Sequence, residues 1–276
     1  MKEVVELIDN QYGGSESKIS LERRVFFPGL GGAVVTAEGV PSAFRYERDK
    51  TPKTGHKLFL KHVLIKKLED FFFRTGVYVV SHIARPLGSV SRHENGEHVE
   101  GYIYEWVFGS EGFPWEVASK DGYINVHLED WDRFTKHFAV AGISMVVDVA
   151  DPDDGRISKN VIHQYPYHFT SGKLSSLWRR IDFGPRSLRI DYDRLSEFIN
   201  AHLDELIRIL RAERVNMLRL IVEYLDKGPE HMSQADIGRL EILVGDYRRA
   251  TLTQYQVAAG ATHIPAHLTL ENETLL

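Results

Sequence analysis

Leu177-Trp178-Arg179-Arg180-Ile181-Asp182-Phe183-Gly184 runs a short apolar strand into an acidic residue, an aromatic residue and a glycine. Taken alone, such a triplet is a strand-to-turn junction at which glycine is free to adopt positive φ. Its weight comes from the order of what surrounds it. Upstream by 22 residues stands Asn160, in Ser158-Lys159-Asn160-Val161-Ile162-His163. There an Asn feeds an apolar strand, and enough chain separates it from Asp182 for a β-hairpin. An Asn that simply turns the chain into a strand reads equally well at that position.

Working outward, Leu21 to Lys61 holds short β-prone runs (Arg24 to Phe27, Gly32 to Thr36, Ser42 to Tyr46, Lys57 to Lys61). Pro28-Gly29, Gly39, Pro41 and the polar loop Asp49 to Gly55 separate them, a spacing that fits strands and tight turns. His62 to Arg74 reads as a helix stopped by Gly76. Strand character returns at Val77 to Ser81, Ile83 to Val90 and Val99 to Phe108. Beyond Gly109 the pattern turns helical. Trp131 to Val147 is expected as a helix with Asp130 as N-cap. Asp148 to Lys159 reads as an acidic loop, and Val161 to Tyr167 and Leu177 to Asp182 as strands. From Tyr192 an apolar stripe runs through Leu195, Phe198, Ile199, Leu203, Leu206, Ile209 and Leu210. It continues to Leu225 and ends at Gly228-Pro229. A last helix is expected from Ser233 to about Gln256. The result is an α+β order: residues 1–108 form an antiparallel sheet carrying one helix, and residues 109–276 are mainly helical.

Composition narrows the function classes. The chain has 276 residues, 43% of them hydrophobic and 26% charged, with a net charge of −5 and a pI near 6.2. An acidic total gives no support for nucleic acid or an anionic membrane as partner. There are no cysteines, which excludes disulfides, thiolate metal sites and Cys nucleophiles. The acidic N-terminal run and the lack of an apolar stretch of spanning length point to a cytoplasmic protein. The P-loop, the G-x-S-x-G elbow and the H-E-x-x-H zinc motif are all absent.

Read in order, these pieces resemble the protein-kinase-like superfamily over roughly Leu21 to Phe198. The resemblance implies a two-lobed fold, with an antiparallel β N-lobe bearing one helix and a mainly helical C-lobe. It implies ATP and Mg²⁺ as cofactors. Asp182 and Asn160 take the positions of the two Mg²⁺ ligands. Gly29, Gly31 and Gly32 occupy the place of the glycine-rich loop, although Val34 stands where a third glycine is expected. Lys61, ending Lys57-Leu58-Phe59-Leu60-Lys61, corresponds to the phosphate-binding lysine on its strand. Lys57, on the same face, competes with it. Glu69 on the following helix is the candidate partner of Lys61, at a shorter spacing than the family uses. Glu105 and Val107, in the run Gly101 to Gly109, fall where backbone groups receive adenine.

The chain also departs from the pattern. The H-R-D-L-x-x-x-N loop puts its Asp five residues before its Asn, and here that position is Gly155. Asp148 is the preferred catalytic residue, with Asp151, Asp153 and Asp154 as alternatives. The long activation segment of protein-phosphorylating members is missing, because Pro185 to Ile190 leads almost directly to the helix from Tyr192. The expected function is therefore ATP/Mg²⁺-dependent phosphorylation of a small-molecule hydroxyl or amine, of the aminoglycoside- or choline-kinase type. A catalytically inactive pseudokinase that binds nucleotide or protein is the alternative. A helical interaction module with a β-rich adaptor is a third reading.

Overall fold

The computed structural model describes residues 22–27, 32–37, 40–47, 54–77, 81–94, 97–105, 109–111, 133–145, 161–164, 168–170, 173–175, 178–180 and 188–261. The fold is α+β. Strands β1 (Glu22–Phe27), β2 (Gly32–Ala37) and β3 (Val40–Glu47) form an antiparallel meander. Helix α1 (Thr54–Arg74) follows, and then the hairpin of β4 (Pro86–Glu94) and β5 (Glu97–Glu105). Because β5 pairs with β3, the five-stranded order is β1-β2-β3-β5-β4. This matches the expected sheet carrying one helix.

Helix α1 is the central element. It packs on β4 and β5 and also on helices from the C-terminal part of the chain. Leu58, Phe59, Leu60, Val63, Leu64, Ile65 and Leu68 are all at or near zero exposure. The strand expected at Lys57 to Lys61 is therefore not formed, and those residues are the early turns of α1. Three consecutive buried side chains, followed by three more, suit a helix enclosed on several sides rather than a strand with one buried face.

Both ends of α1 are built in. At the start, Gly55 N–H donates to the Glu100 carboxylate (2.9 Å), and Glu100 is itself fully buried on β5. A Cβ at Gly55 would lie 2.5 Å from the Gly101 nitrogen, so only glycine permits this approach. At the end, Gly76 has φ +81°, its N–H bonds to Phe73 O, and Val77 N–H bonds to Phe72 O. These two bonds form a Schellman stop.

Helix α2 (133–140) is shorter than the expected Trp131 to Val147. Gly142 (φ +77°) ends it, and Ile143–Met145 forms strand β7 instead. Asp130 lies outside the described residues. Short strands follow: β6 (Gly109–Glu111), β8 (Val161–Gln164), β9 (His168–Thr170), β10 (Lys173–Ser175), β11 (Trp178–Arg180) and β12 (Leu188–Ile190). Strands β8 and β11 fall within the expected strands, whose other residues lie outside the described ones. The strand expected at Val77 to Ser81 is not seen in its described residues, and the one expected from Ile83 begins at Pro86.

The apolar stripe from Tyr192 forms three helices: α3 (Tyr192–Ala201), α4 (Leu203–Leu210) and α5 (Ala212–Lys227). Asp191 caps α3 by accepting from Arg194 N–H (3.1 Å). Gly228 (φ +85°) ends α5. Helix α6 (Gln234–Ala261) is capped by Ser233, whose hydroxyl accepts from Asp236 N–H (3.1 Å). The core joins α1, Tyr102 and Tyr104 of β5, Phe134 and Phe138 of α2, and α3 to α6 in one cluster. It thus runs across the 108/109 boundary expected from the sequence. Among the described residues no helix is long and apolar enough to cross a membrane.

Candidate functional site

Of the residues singled out in the sequence, Gly32, Lys61, Glu69 and Glu105 are described. Gly29, Gly31, Val107, Asp148, Asn160 and Asp182 lie outside the described residues, as does the acidic run Asp151, Asp153 and Asp154. Gly32 opens β2 opposite Phe27, so the glycine-bearing stretch links two paired strands.

Lys61 is half-buried on α1, and Lys57 is one turn before it. Neither stands on a strand. Glu69 lies eight residues further along, about 12 Å at the helical rise. It does not pair with Lys61 but with Lys66, whose Nζ is 2.5 Å from Oε2. Glu69 is completely buried and both its oxygens are engaged. Oε2 also accepts from the Ser81 hydroxyl (2.8 Å), and Oε1 accepts from the N–H groups of His82 and Ile83, the latter at 2.9 Å. Two turns earlier, His62 Nε2 bonds to Ala84 O at 2.5 Å. That carbonyl can only accept, so Nε2 carries the hydrogen. With Lys66 also donating to the Ser81 hydroxyl (2.9 Å), residues 81–84 are pinned to α1 by three side chains.

The charges around this clamp are arranged in a consistent way. Burial works against the charge on Lys66, but Glu69 and Asp70 outweigh it and hold the ammonium above the usual lysine range. Burial pushes Asp70 up, yet Lys66 and Lys67 overcome it and leave the carboxyl below its usual range. Lys67 is lowered by burial, offset in part by Asp70. Burial brings His62 down to about 3. Burial and the Asp70 charge raise the Tyr247 phenol well above its ordinary value. A lysine held charged by two carboxylates cannot act as a base, and a carboxylate with both oxygens engaged has no place for a ligand. The cluster holds the fold together. Its sequence signal is the charged run Lys66-Lys67 and Glu69-Asp70 inside an otherwise apolar helix.

Glu105 is buried at the end of β5, opposite Ser42. Its carboxylate is 3.4 Å from Arg85 Nε, and its N–H donates to Arg85 O (2.9 Å). The backbone donor proposed to meet adenine at this position is therefore already used within the chain.

The pairing of the short strands bears on the remaining candidates. Strand β8 pairs antiparallel with β11, with Val161 opposite Arg180. Asn160 precedes Val161 by one residue and Asp182 follows Arg180 by two. The chain therefore runs toward both positions from the same end of one ladder. β6 pairs on the other side of β8, with Glu111 opposite Ile162. β7 pairs with β12, with Met145 opposite Leu188. That second ladder joins the segment before Asp148 to the segment after Gly184. Among the described residues no group of three or more His, Asp or Glu could hold a metal ion. The chain was also compared with protein-family models and with curated proteins, and it matches none of them.

Proposed function

We propose that this protein is an ATP- and Mg²⁺-dependent phosphotransferase with a kinase-like two-lobed fold, acting on a small-molecule hydroxyl or amine. The observation that carries the reading is the pairing of β8 with β11. With Val161 opposite Arg180, the positions that the resemblance gives to the two Mg²⁺ ligands, Asn160 and Asp182, follow from one end of one ladder. The β7–β12 ladder supports it by flanking Asp148 and Gly184. Carboxylate and amide oxygens are the donors that Mg²⁺ prefers. In this reading Mg²⁺, when bound, neutralises phosphate charge. Asn160 and Asp182 hold it, and Asp148 orients the acceptor.

The test is thermal unfolding with and without Mg²⁺-ATP at several concentrations. A ligand present at about 100 times its Kd adds roughly 2.7 kcal/mol to native stability. A Mg²⁺-dependent rise in Tm that disappears in Asp182→Ala is expected, and an unchanged Tm at millimolar nucleotide would sink the reading.

A second reading, a catalytically inactive nucleotide- or partner-binding pseudokinase, is favoured by one specific observation. Lys61 lies on α1, and Glu69 is engaged with Lys66, Ser81, His82 and Ile83. The expected lysine–glutamate pair is absent between these two residues. That reading requires nucleotide-dependent stabilisation with no product from any acceptor, so one confirmed phosphorylated product would end it.

A further inference from the structure

Helix α6 is attached to the rest of the molecule in two different ways along its length. Its first half is built into the core through Leu240, Val244 and Tyr247. Lys67 of α1 and Arg214 of α5 stand over the Tyr247 ring, 4.9 and 5.6 Å from its centroid. Its second half leaves that cluster. Leu252 and Tyr255 are buried but lie outside the main core, as do Leu87 of β4 and Ile103 of β5. This part of the molecule is where α6 packs on β3 and β4. Its directional contacts are polar. Arg248 Nε donates to Leu87 O (2.9 Å), and the guanidinium of Arg85, paired with Glu105, lies 5.9 Å from the Tyr255 ring centre.

These groups gather at one end of the sheet, where Ser42 faces Glu105 and Pro86 faces Tyr104. It is also the end from which β5 runs out toward residues 106–108.

We infer that residues 248–255 form a cover over this end of the sheet. The cover opens as a unit beyond Tyr247 while the first half of α6 stays in the core. The inference stands on the sheet and helices alone and does not depend on the nucleotide reading. What opening would uncover is the end of β5, where the resemblance places the backbone groups that receive adenine.

Hydrogen exchange of the full chain tests it, comparing the wild type with Arg248→Ala and Gly88→Ala. A Cβ at Gly88 would lie 3.1 Å from Arg248 Nε, so Gly88→Ala displaces the same arginine from the opposite side. If Arg248→Ala fails to fold, Gly88→Ala still carries the test. Loss of a hydrogen bond from a charged group should speed opening by on the order of tenfold. The expected result is that both variants accelerate exchange in residues 248–255 and at the start of β4, with α1, α5 and residues 234–244 unchanged. Equal acceleration in α1 and α5 would show that α6 detaches only with global unfolding. Unchanged exchange in 248–255 would show that Arg248 holds nothing down. Either result overturns the cover.

Discussion

Glu69 shows how much one side chain can hold. Its carboxylate receives Lys66, Ser81 and two backbone N–H groups in a site with no exposure. Removing one partner of such a pair strands the other charge. Glu69→Ala should cost about 3–5 kcal/mol in chemical denaturation. Replacing Lys66 and Glu69 together by methionine should recover only the part due to the unpaired lysine, because the N–H groups of His82 and Ile83 stay buried without an acceptor. His62 makes a pH prediction. Its folded value of about 3 lies below the ordinary 6.5 because it is buried. Below pH 6.5 the unfolded chain binds a proton that the folded chain refuses until about pH 3. Stability contributed by neutral His62 is therefore full above pH 6.5 and is lost as pH falls toward 3, by at most about 1.4 kcal/mol per unit. Denaturation midpoints between pH 7 and 4 should fall less steeply in His62→Gln than in the wild type. Gly55→Ala tests a contact of a different kind. Its methyl group would meet the backbone of Gly101, so a loss of about 1–3 kcal/mol is expected from the same denaturation measurement.

At the scale of elements, the chain breaks its C-terminal helices at two non-glycine positions, His202 and Arg211. Arg211 has φ +75° and ψ 152°, a conformation that glycine alone adopts freely. Holding another residue there costs on the order of 1–3 kcal/mol. Arg211→Gly should therefore raise the unfolding midpoint, and an unchanged or lower midpoint would show the strain to be relieved elsewhere. The elements differ in how legible they were. The helical character of α3 to α5 was readable from their apolar stripe, and Gly228-Pro229 and Ser233 mark where α5 ends and α6 begins, but the breaks at His202 and Arg211 were not read. α1 was half missed because it is buried nearly all round. A helix without a polar face loses its 3.6-residue signature, so Leu58-Phe59-Leu60 imitates a strand. The end of α2 was overrun although Gly142 stood in the sequence. What fixes the stop there is tertiary, since Asp191 N–H bonds to Gly142 O (2.8 Å). Of the candidate site, the strands after Asn160 and before Asp182 were legible as short apolar runs. The partner of Glu69 was not, because a buried helix can pair charges within itself, which strand-and-helix order does not reveal.

For the molecule as a whole, the core makes α1 dependent on residues far along the chain. Arg74 at its end donates to Ile209 O, 135 residues away, and its apolar faces are shared with α4 and α5. A fragment of residues 1–190 should therefore fail to fold cooperatively, with a broad or absent thermal transition by circular dichroism. A sharp two-state transition in that fragment would show that the sheet and α1 are sufficient by themselves.

The central position of α1 also matters on the ribosome. Its buried face leaves the exit tunnel well before the helices that cover it. At ordinary elongation rates, 135 further residues take on the order of ten seconds to synthesise. Throughout that interval Phe71 and Phe72, which pack on Phe198, stand uncovered on a nascent chain, so the fold demands protection during its own synthesis that the finished molecule no longer needs.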